Sequence, residues 1–140
     1  MESNIDIIKK SYGRCMFTRE SKQQFFNHFY QLFLHSDPEI ALLFQDTEFE
    51  KQVTLLKHAI SMSIMFAEDN NDLAKSVLMQ TRKSHSRSRK NIKPEYYTFW
   101  LDCLMHTFWA CDPQFNEALE KSWRELLQIT IDYIKEGYEH

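Results

Sequence analysis

The stretch His28-Phe29-Tyr30-Gln31-Leu32-Phe33-Leu34-His35-Ser36-Asp37-Pro38-Glu39-Ile40-Ala41-Leu42-Leu43-Phe44 decides how the chain is read. Its apolar residues extend a series that starts at Phe25 and Phe26 and recurs at spacings of three and four, the period of one helical face. The series predicts a strongly apolar helix over 21–35. Asp37-Pro38-Glu39 then reads as a helix start, because proline is favoured in the first turn. Phe44 follows in a joint between helices, where an aromatic ring either plugs the core or lies against a flat ligand.

Outward from this stretch the same grammar continues. Residues 4–16 carry Ile5, Ile7, Ile8 and Tyr12 at helical spacing. Thr47 with Glu50 matches a capping box and predicts a helix over 48–66, with an inner stripe of Phe49, Gln52, Leu56, Ile60 and Ser63 and with Val53, Ala59 and Met62 beside it. Asp69-Asn70-Asn71-Asp72 reads as a polar break, followed by a shorter helix near 72–86. The segment 84–91 is basic, serine-rich and without an apolar residue, so an irregular connection is expected. Lys93-Pro94-Glu95 and Asp112-Pro113 resemble further helix starts and predict helices over 95–110 and 114–136. The expectation is an all-α chain of about six helices, the second interrupted near Pro38, forming one domain over 1–140.

Composition agrees and excludes alternatives. The 140 residues include 2 Gly, 3 Pro and 11 Phe. Two glycines cannot build a dinucleotide fingerprint, a phosphate-cradling loop or the turns of a barrel. A net charge of −3 argues against nucleic-acid binding. No apolar run approaches the roughly 20 residues that span a bilayer. The amino terminus lacks the basic start and apolar stretch of a signal peptide, so a cytoplasmic protein is expected. Cys15, Cys103 and Cys111 lack metal-ligand spacing and read as reduced thiols.

Few residues offer chemistry. The six histidines contain no i, i+4 zinc pair, and no paired carboxylates or nucleophile triad can be assembled. Four residues stand out. Gln52 sits on an inner stripe where an apolar residue is expected, and a buried amide needs a partner. Tyr30 brings one hydroxyl to a phenylalanine-rich face. His85 ends a short helix ahead of a loop and the Pro94-Glu95-Tyr96-Tyr97 segment. Phe44 is the fourth.

In this register the sequence resembles the globin family, in particular bacterial single-domain globins and the globin domain of flavohaemoglobins. The segments His28-Phe29-Tyr30, Ser36 to Ile40 and Leu43-Phe44 are similar to the family's second and third helices, with its gap between Tyr30 and Phe44. Gln52 with Leu56 matches the distal helix, and His85 with Pro94 to Tyr97 matches the proximal histidine and the helix after it. Ile8 to Tyr12 resembles the first helix, with Tyr12 where tryptophan is usual, and Ala118 to Trp123 resembles the start of the last.

The resemblance implies a globin-like three-over-three helical sandwich around haem b (iron protoporphyrin IX). Residue by residue it makes His85 the axial iron ligand. It stacks Phe44 on the porphyrin and places Tyr30 and Gln52 as distal donors. Leu56 becomes an apolar wall over the iron, and Tyr97, with Tyr96 as competitor, a proximal contact. Trp100 is expected to touch the haem. Two departures are plain: the connection from His85 to Pro94 is longer than in many relatives, and Thr81 replaces a usual leucine.

Other features receive simpler readings. Arg82, Lys83, Arg87, Arg89, Lys90 and Lys93 form a basic cluster, expected to be a solvated loop with one or two cations near a haem edge or an anionic reductase. Trp109 and Trp123 are expected to pack in the core, Met62, Met65 and Met79 to fill gaps, and His58 is not assigned as a ligand. The resemblance implies binding of dioxygen, nitric oxide or carbon monoxide, with nitric oxide dioxygenation or other redox detoxification as the use. With no flavin or nicotinamide reductase domain in these residues, electrons would come from a separate protein. Enzyme status stays open. The alternative is a gas or redox sensor module, with or without haem, acting through a partner protein.

Overall fold

The computed structural model describes residues 3–68 and 72–139. Residues 1, 2 and 140 lie outside them, as do residues 69–71 of the polar break expected over 69–72; its last residue, Asp72, is the first of the fifth helix. Seven helices follow in order: α1 (Asn4–Cys15), α2 (Arg19–Phe33), α3 (Pro38–Phe44), α4 (Phe49–Ala67), α5 (Asp72–Ser84), α6 (Glu95–Cys111) and α7 (Glu117–Lys135). No strand occurs among the described residues.

Local chemistry sets most helix starts. Ser3 and Asp6 form a capping box on α1, Asp6 N donating to Ser3 Oγ at 3.2 Å. Thr18 and Ser21 do the same for α2, at 3.0 Å in each direction. Asp37 Oδ1 accepts from Glu39 N at 2.8 Å, with Pro38 in the first turn of α3 as the sequence predicts. Such caps satisfy N–H groups that the helix itself cannot pair.

Two starts differ from expectation. The Thr47–Glu50 box does not form: α4 opens after Glu48 with no side-chain cap. The Thr47 carbonyl instead accepts from Gln52 Nε2 at 3.2 Å. Asp112-Pro113 does not open a helix either. Asp112 ends α6, and Asn116 caps α7 through Leu119 N at 2.8 Å.

Packing is aromatic. α2 lies along α6, and α7 packs against α1, α4, α5 and α6. Phe25 meets Phe108 edge to face at 5.1 Å, and Phe108 stacks on Trp123 at 4.4 Å. All three are fully buried, and each ring contributes about 1.5–3 kcal/mol through burial alone. The inner stripe of α4 is Gln52, Leu56, Ile60, Ser63 and Ile64. Phe49 is 43% exposed instead, because the first residue of α4 reaches only the edge of Tyr30, at 6.3 Å.

Trp109 and Met79 also differ from the expected core roles, at 47% and 43% exposure. α6 is apolar nearly all round, so period alone could not assign its outer face. Trp109 turns outward, its Nε1 donating to Glu120 and its ring edge meeting Phe115. Met79 faces out on α5, its sulfur accepting from Tyr133 Oη at 3.5 Å.

A buried polar network ties the chain's two ends together. Asp112 is 3% exposed. Its carboxylate accepts from Ser11 Oγ at 2.7 Å, from Arg14 Nε and Nη2 at 2.6 and 2.9 Å, and from Gln114 N at 3.0 Å. Trp123 Nε1 donates to Ser11 Oγ at 3.1 Å. Burial pushes the Asp112 carboxyl up, but the Arg14, Ser11 and Gln114 donors outweigh it and hold it below the usual 3.8.

Removing that carboxylate leaves buried donors without an acceptor. Asp112→Ala is therefore expected to lower stability by about 2–4 kcal/mol in urea denaturation. A carboxyl whose folded pKa is depressed stabilises above its unfolded value and loses that contribution as pH falls through the folded one. The stability gap between the natural chain and Asp112→Asn should thus narrow below pH 3.8. A gap constant from neutral to strongly acid pH would contradict this assignment.

Candidate functional site

Four helices converge on one contiguous apolar cluster: Tyr30 of α2 and Leu56 of α4 are buried in it, and Phe44 of α3 with Tyr97 and Trp100 of α6 pack against it. Tyr30 stands on the phenylalanine-rich face of α2, where period and burial coincide. It is 4% exposed and packs edge to face on Phe29 at 5.0 Å and on Phe44 at 5.9 Å. Burial raises its phenol well above the ordinary value, so it stays a hydroxyl donor.

That hydroxyl already has an acceptor. Tyr30 Oη donates to the Gln52 carbonyl oxygen at 2.6 Å. The Gln52 side chain, 6% exposed, turns back so that Nε2 reaches the Thr47 carbonyl. The two residues expected to act as a donor pair are thus brought together through main chain, and the buried amide meets its partner inside the turn before α4. Leu56 lies one turn further along α4 and is 2% exposed. Phe44, the last residue of α3, is half-buried between Tyr30 and Phe33, the latter at 6.0 Å.

His85 follows α5 directly, its N–H prolonging the helical pattern to Thr81 O at 2.9 Å. Its imidazole Nδ1 lies 2.8 Å from Tyr97 Oη, with the two rings nearly parallel at 25°. Burial, and after it the Lys90 charge, pushes His85 down to about 4, so the ring is neutral at neutral pH. Burial raises the Tyr97 phenol, which stays protonated. The tautomer with its proton on Nδ1 donates to Tyr97 Oη and leaves the Nε2 lone pair for a metal.

Tyr96 goes elsewhere. Its hydroxyl donates to Glu39 on α3, which also accepts from Lys93 Nζ at 3.0 Å. Trp100, one turn beyond Tyr97, is half-buried and meets Phe29 edge to face, with ring centroids 6.4 Å apart. Thr81 turns its hydroxyl back to Val77 O at 3.3 Å, which cancels the polarity its identity suggests.

The long connection after His85 is an ordered turn. Ile92 N returns to His85 O at 3.1 Å and Asn91 N to Ser86 O at 2.9 Å. Asn91 has φ 53°, the left-handed region that asparagine tolerates best among residues with a side chain. Segments after α7 brace it: Arg87 N donates to Tyr138 O, and Tyr138 Oη to Asn91 Oδ1. These anchors carry no local sequence signal, since they join residues some fifty positions apart.

The basic cluster is partly neutralised. Arg82 pairs with Glu136 at 3.4 Å and sits over the Tyr133 ring, Arg87 pairs with Glu139 at 3.4 Å, and Lys93 with Glu39. Cys15, Cys103 and Cys111 are free thiols. Burial is the main cause that raises all three, Cys15 to about 12. Among the described residues no helix is long and apolar enough to cross a membrane.

Comparison with known proteins adds to this geometry. The family model described as Globin matches residues 16–134. A crystal structure of a Pseudomonas aeruginosa protein, described as structurally highly homologous to a human hemoglobin, is 33% identical to this chain. The similarity covers 99% of this chain and 100% of that one, with a TM-score of 0.89. No match is found among curated proteins. The all-α architecture is thus globin-like, and a family match over most of the length settles membership: this chain belongs to the globin family.

Proposed function

We propose that the chain binds haem b with His85 Nε2 as the axial ligand and takes up dioxygen, nitric oxide and carbon monoxide. One observation carries the reading: a half-buried histidine, neutral at neutral pH, has its Nδ1 held by Tyr97 Oη at 2.8 Å. An imidazole so placed can direct only Nε2 to a metal, and a fixed tautomer and orientation is what axial ligation needs. The residues fit the group. Ferrous haem supplies the site at which diatomic ligands bind reversibly.

The protein's residues do the rest. Phe44, Leu56 and Trp100 give the cluster apolar surface for a macrocycle and keep water out. Tyr30 and Gln52 are the polar donors of the opposite wall, where an O–H and an N–H strengthen each other in a low-dielectric setting. To donate to a ligand, Tyr30 must release the Gln52 carbonyl, which lies within the hydrogen-bond ladder of α4 and so keeps a partner. Strong donors favour slow ligand release, which suits nitric oxide dioxygenation with electrons from a separate reductase better than transport.

A second reading, a sensor acting through a partner, draws on the same bond. Because Tyr30 ties α2 to the backbone of α4, a ligand that attracts its hydroxyl alters a contact between helices. Sustained nitrate formation from nitric oxide under steady reduction distinguishes the enzyme from the sensor.

Protein reconstituted with haemin should show a Soret band, and His85→Ala should lose the histidine-ligated five-coordinate spectrum. No Soret band in the natural chain, or an unchanged spectrum in the variant, refutes the assignment. Tyr97→Phe keeps the ligand but frees its Nδ1. Haem transfer to an acceptor protein should then be about ten-fold faster, the scale on which outer partners of metal ligands act. Tyr30→Phe should speed dioxygen release roughly ten-fold, since one donor bond is worth about 1.4 kcal/mol. A rate equal to that of the natural chain would place Tyr30 outside the ligand's reach.

A further inference from the structure

Away from the His85 site, two histidines from different helices meet at the seam between α2 and α6. His28 Nε2 and His106 Nδ1 are 3.2 Å apart, their rings inclined by only 19° with centroids at 5.4 Å. His28 is half-buried and His106 exposed, so the pair opens to solvent. The residues around it fix the register of the two helices, which run in opposite directions. Phe25 packs on Phe108 at 5.1 Å to one side, and Ser36 Oγ lies 3.3 Å from Cys103 Sγ to the other. The two imidazoles are therefore presented by rigid elements rather than by mobile loops.

We propose that His28 and His106 form a two-imidazole site for a first-row divalent cation, of which zinc is the probe. Two nitrogens bound to one tetrahedral zinc at about 2.0–2.1 Å stand about 3.3 Å apart. The observed 3.2 Å already has that span. Both rings must be neutral to ligate. Burial, and then the His106 charge, lowers His28 below its ordinary value, which favours the neutral form.

The proton between the facing nitrogens moves to the outer nitrogen of its own ring when the metal enters, so a neutral pair binds without net proton release. Among the described residues no third His, Cys, Asp or Glu joins the pair, so water fills the remaining positions. Cys103, the nearest soft ligand along α6, is held by Ser36 and kept protonated by burial. Asp102 is engaged by Arg124 at 3.0 Å. Imidazole nitrogens with open water positions suit zinc or copper(II) and disfavour calcium or magnesium, which take oxygen ligands. A bound ion would also cross-link α2 to α6 and stabilise the fold by mass action.

The test is a titration of the purified full-length chain with zinc chloride, followed by calorimetry and by the thermal midpoint, and it is independent of haem. The natural chain is expected to bind one zinc at this pair with a rise in thermal midpoint. His28→Gln and His106→Gln are each expected to bind it at least ten-fold more weakly, with unchanged circular dichroism. His58→Gln, at an exposed histidine outside the pair, should bind like the natural chain. Absence of zinc binding below millimolar concentration overturns the proposal, as does full affinity in either pair variant.

Discussion

The burial of one carboxylate at the end of α6 conditions much else in this fold. Asp112 can be nearly inaccessible only because donors from Ser11 and Arg14 of α1 and from Gln114 in the following turn converge on it. A charge in that position without partners would cost several kcal/mol. Its partner Ser11 in turn accepts from Trp123, whose ring stacks on Phe108, which meets Phe25. One polar cluster therefore sets α1 against α7 and, through the aromatic stack, α7 against the α2–α6 pair. The helices that carry Tyr30, Tyr97 and Trp100 are aligned by that stack.

The same principle governs the candidate site, with different partners. Each of these polar groups is satisfied by the protein itself: Tyr30 by the Gln52 carbonyl, Gln52 by the Thr47 carbonyl, His85 Nδ1 by Tyr97. Satisfaction of this kind holds side chains in place at little cost and restricts which of their atoms remain for chemistry. His85 keeps one nitrogen. Gln52 keeps one N–H of its amide, since the Thr47 carbonyl takes only one. Tyr30 keeps none without exchange. The two residues are thus unequal: His85 keeps one ring nitrogen unengaged, whereas the Tyr30 hydroxyl could meet a new acceptor only by giving up the Gln52 carbonyl.

These particulars explain what the sequence could disclose. The helices were legible because period and proline act within four positions, as at Pro38 and the apolar run of α2. Family membership was legible because His85, Phe44, Tyr30 and Gln52 keep a linear register. The Thr47 cap and the Asp112-Pro113 start misled for a physical reason. At Thr47 the local turn closes differently, its carbonyl accepting from Gln52 five residues on, whereas the Asp112 carboxylate is claimed by the tertiary partners Arg14 and Ser11. Trp109 and Met79 misled because an all-round apolar or short helix does not declare its outer face.

The same distinction separates the two imidazole environments. His85 is read from sequence because its neighbours in the chain, Thr81 before and Pro94 to Tyr97 after, carry the pattern. His28 and His106 are 78 positions apart and carry none. Their juxtaposition follows from the antiparallel register that Phe25–Phe108 and Ser36–Cys103 impose on α2 and α6. At half-buried His85 the Tyr97 hydroxyl engages Nδ1 and so fixes the orientation of the ring. At the exposed pair water is abundant and the limiting factor is separation, which the helix packing supplies. One fold thus presents imidazole in two ways, singly and half-buried beside Tyr97, and doubly at a solvent-facing seam.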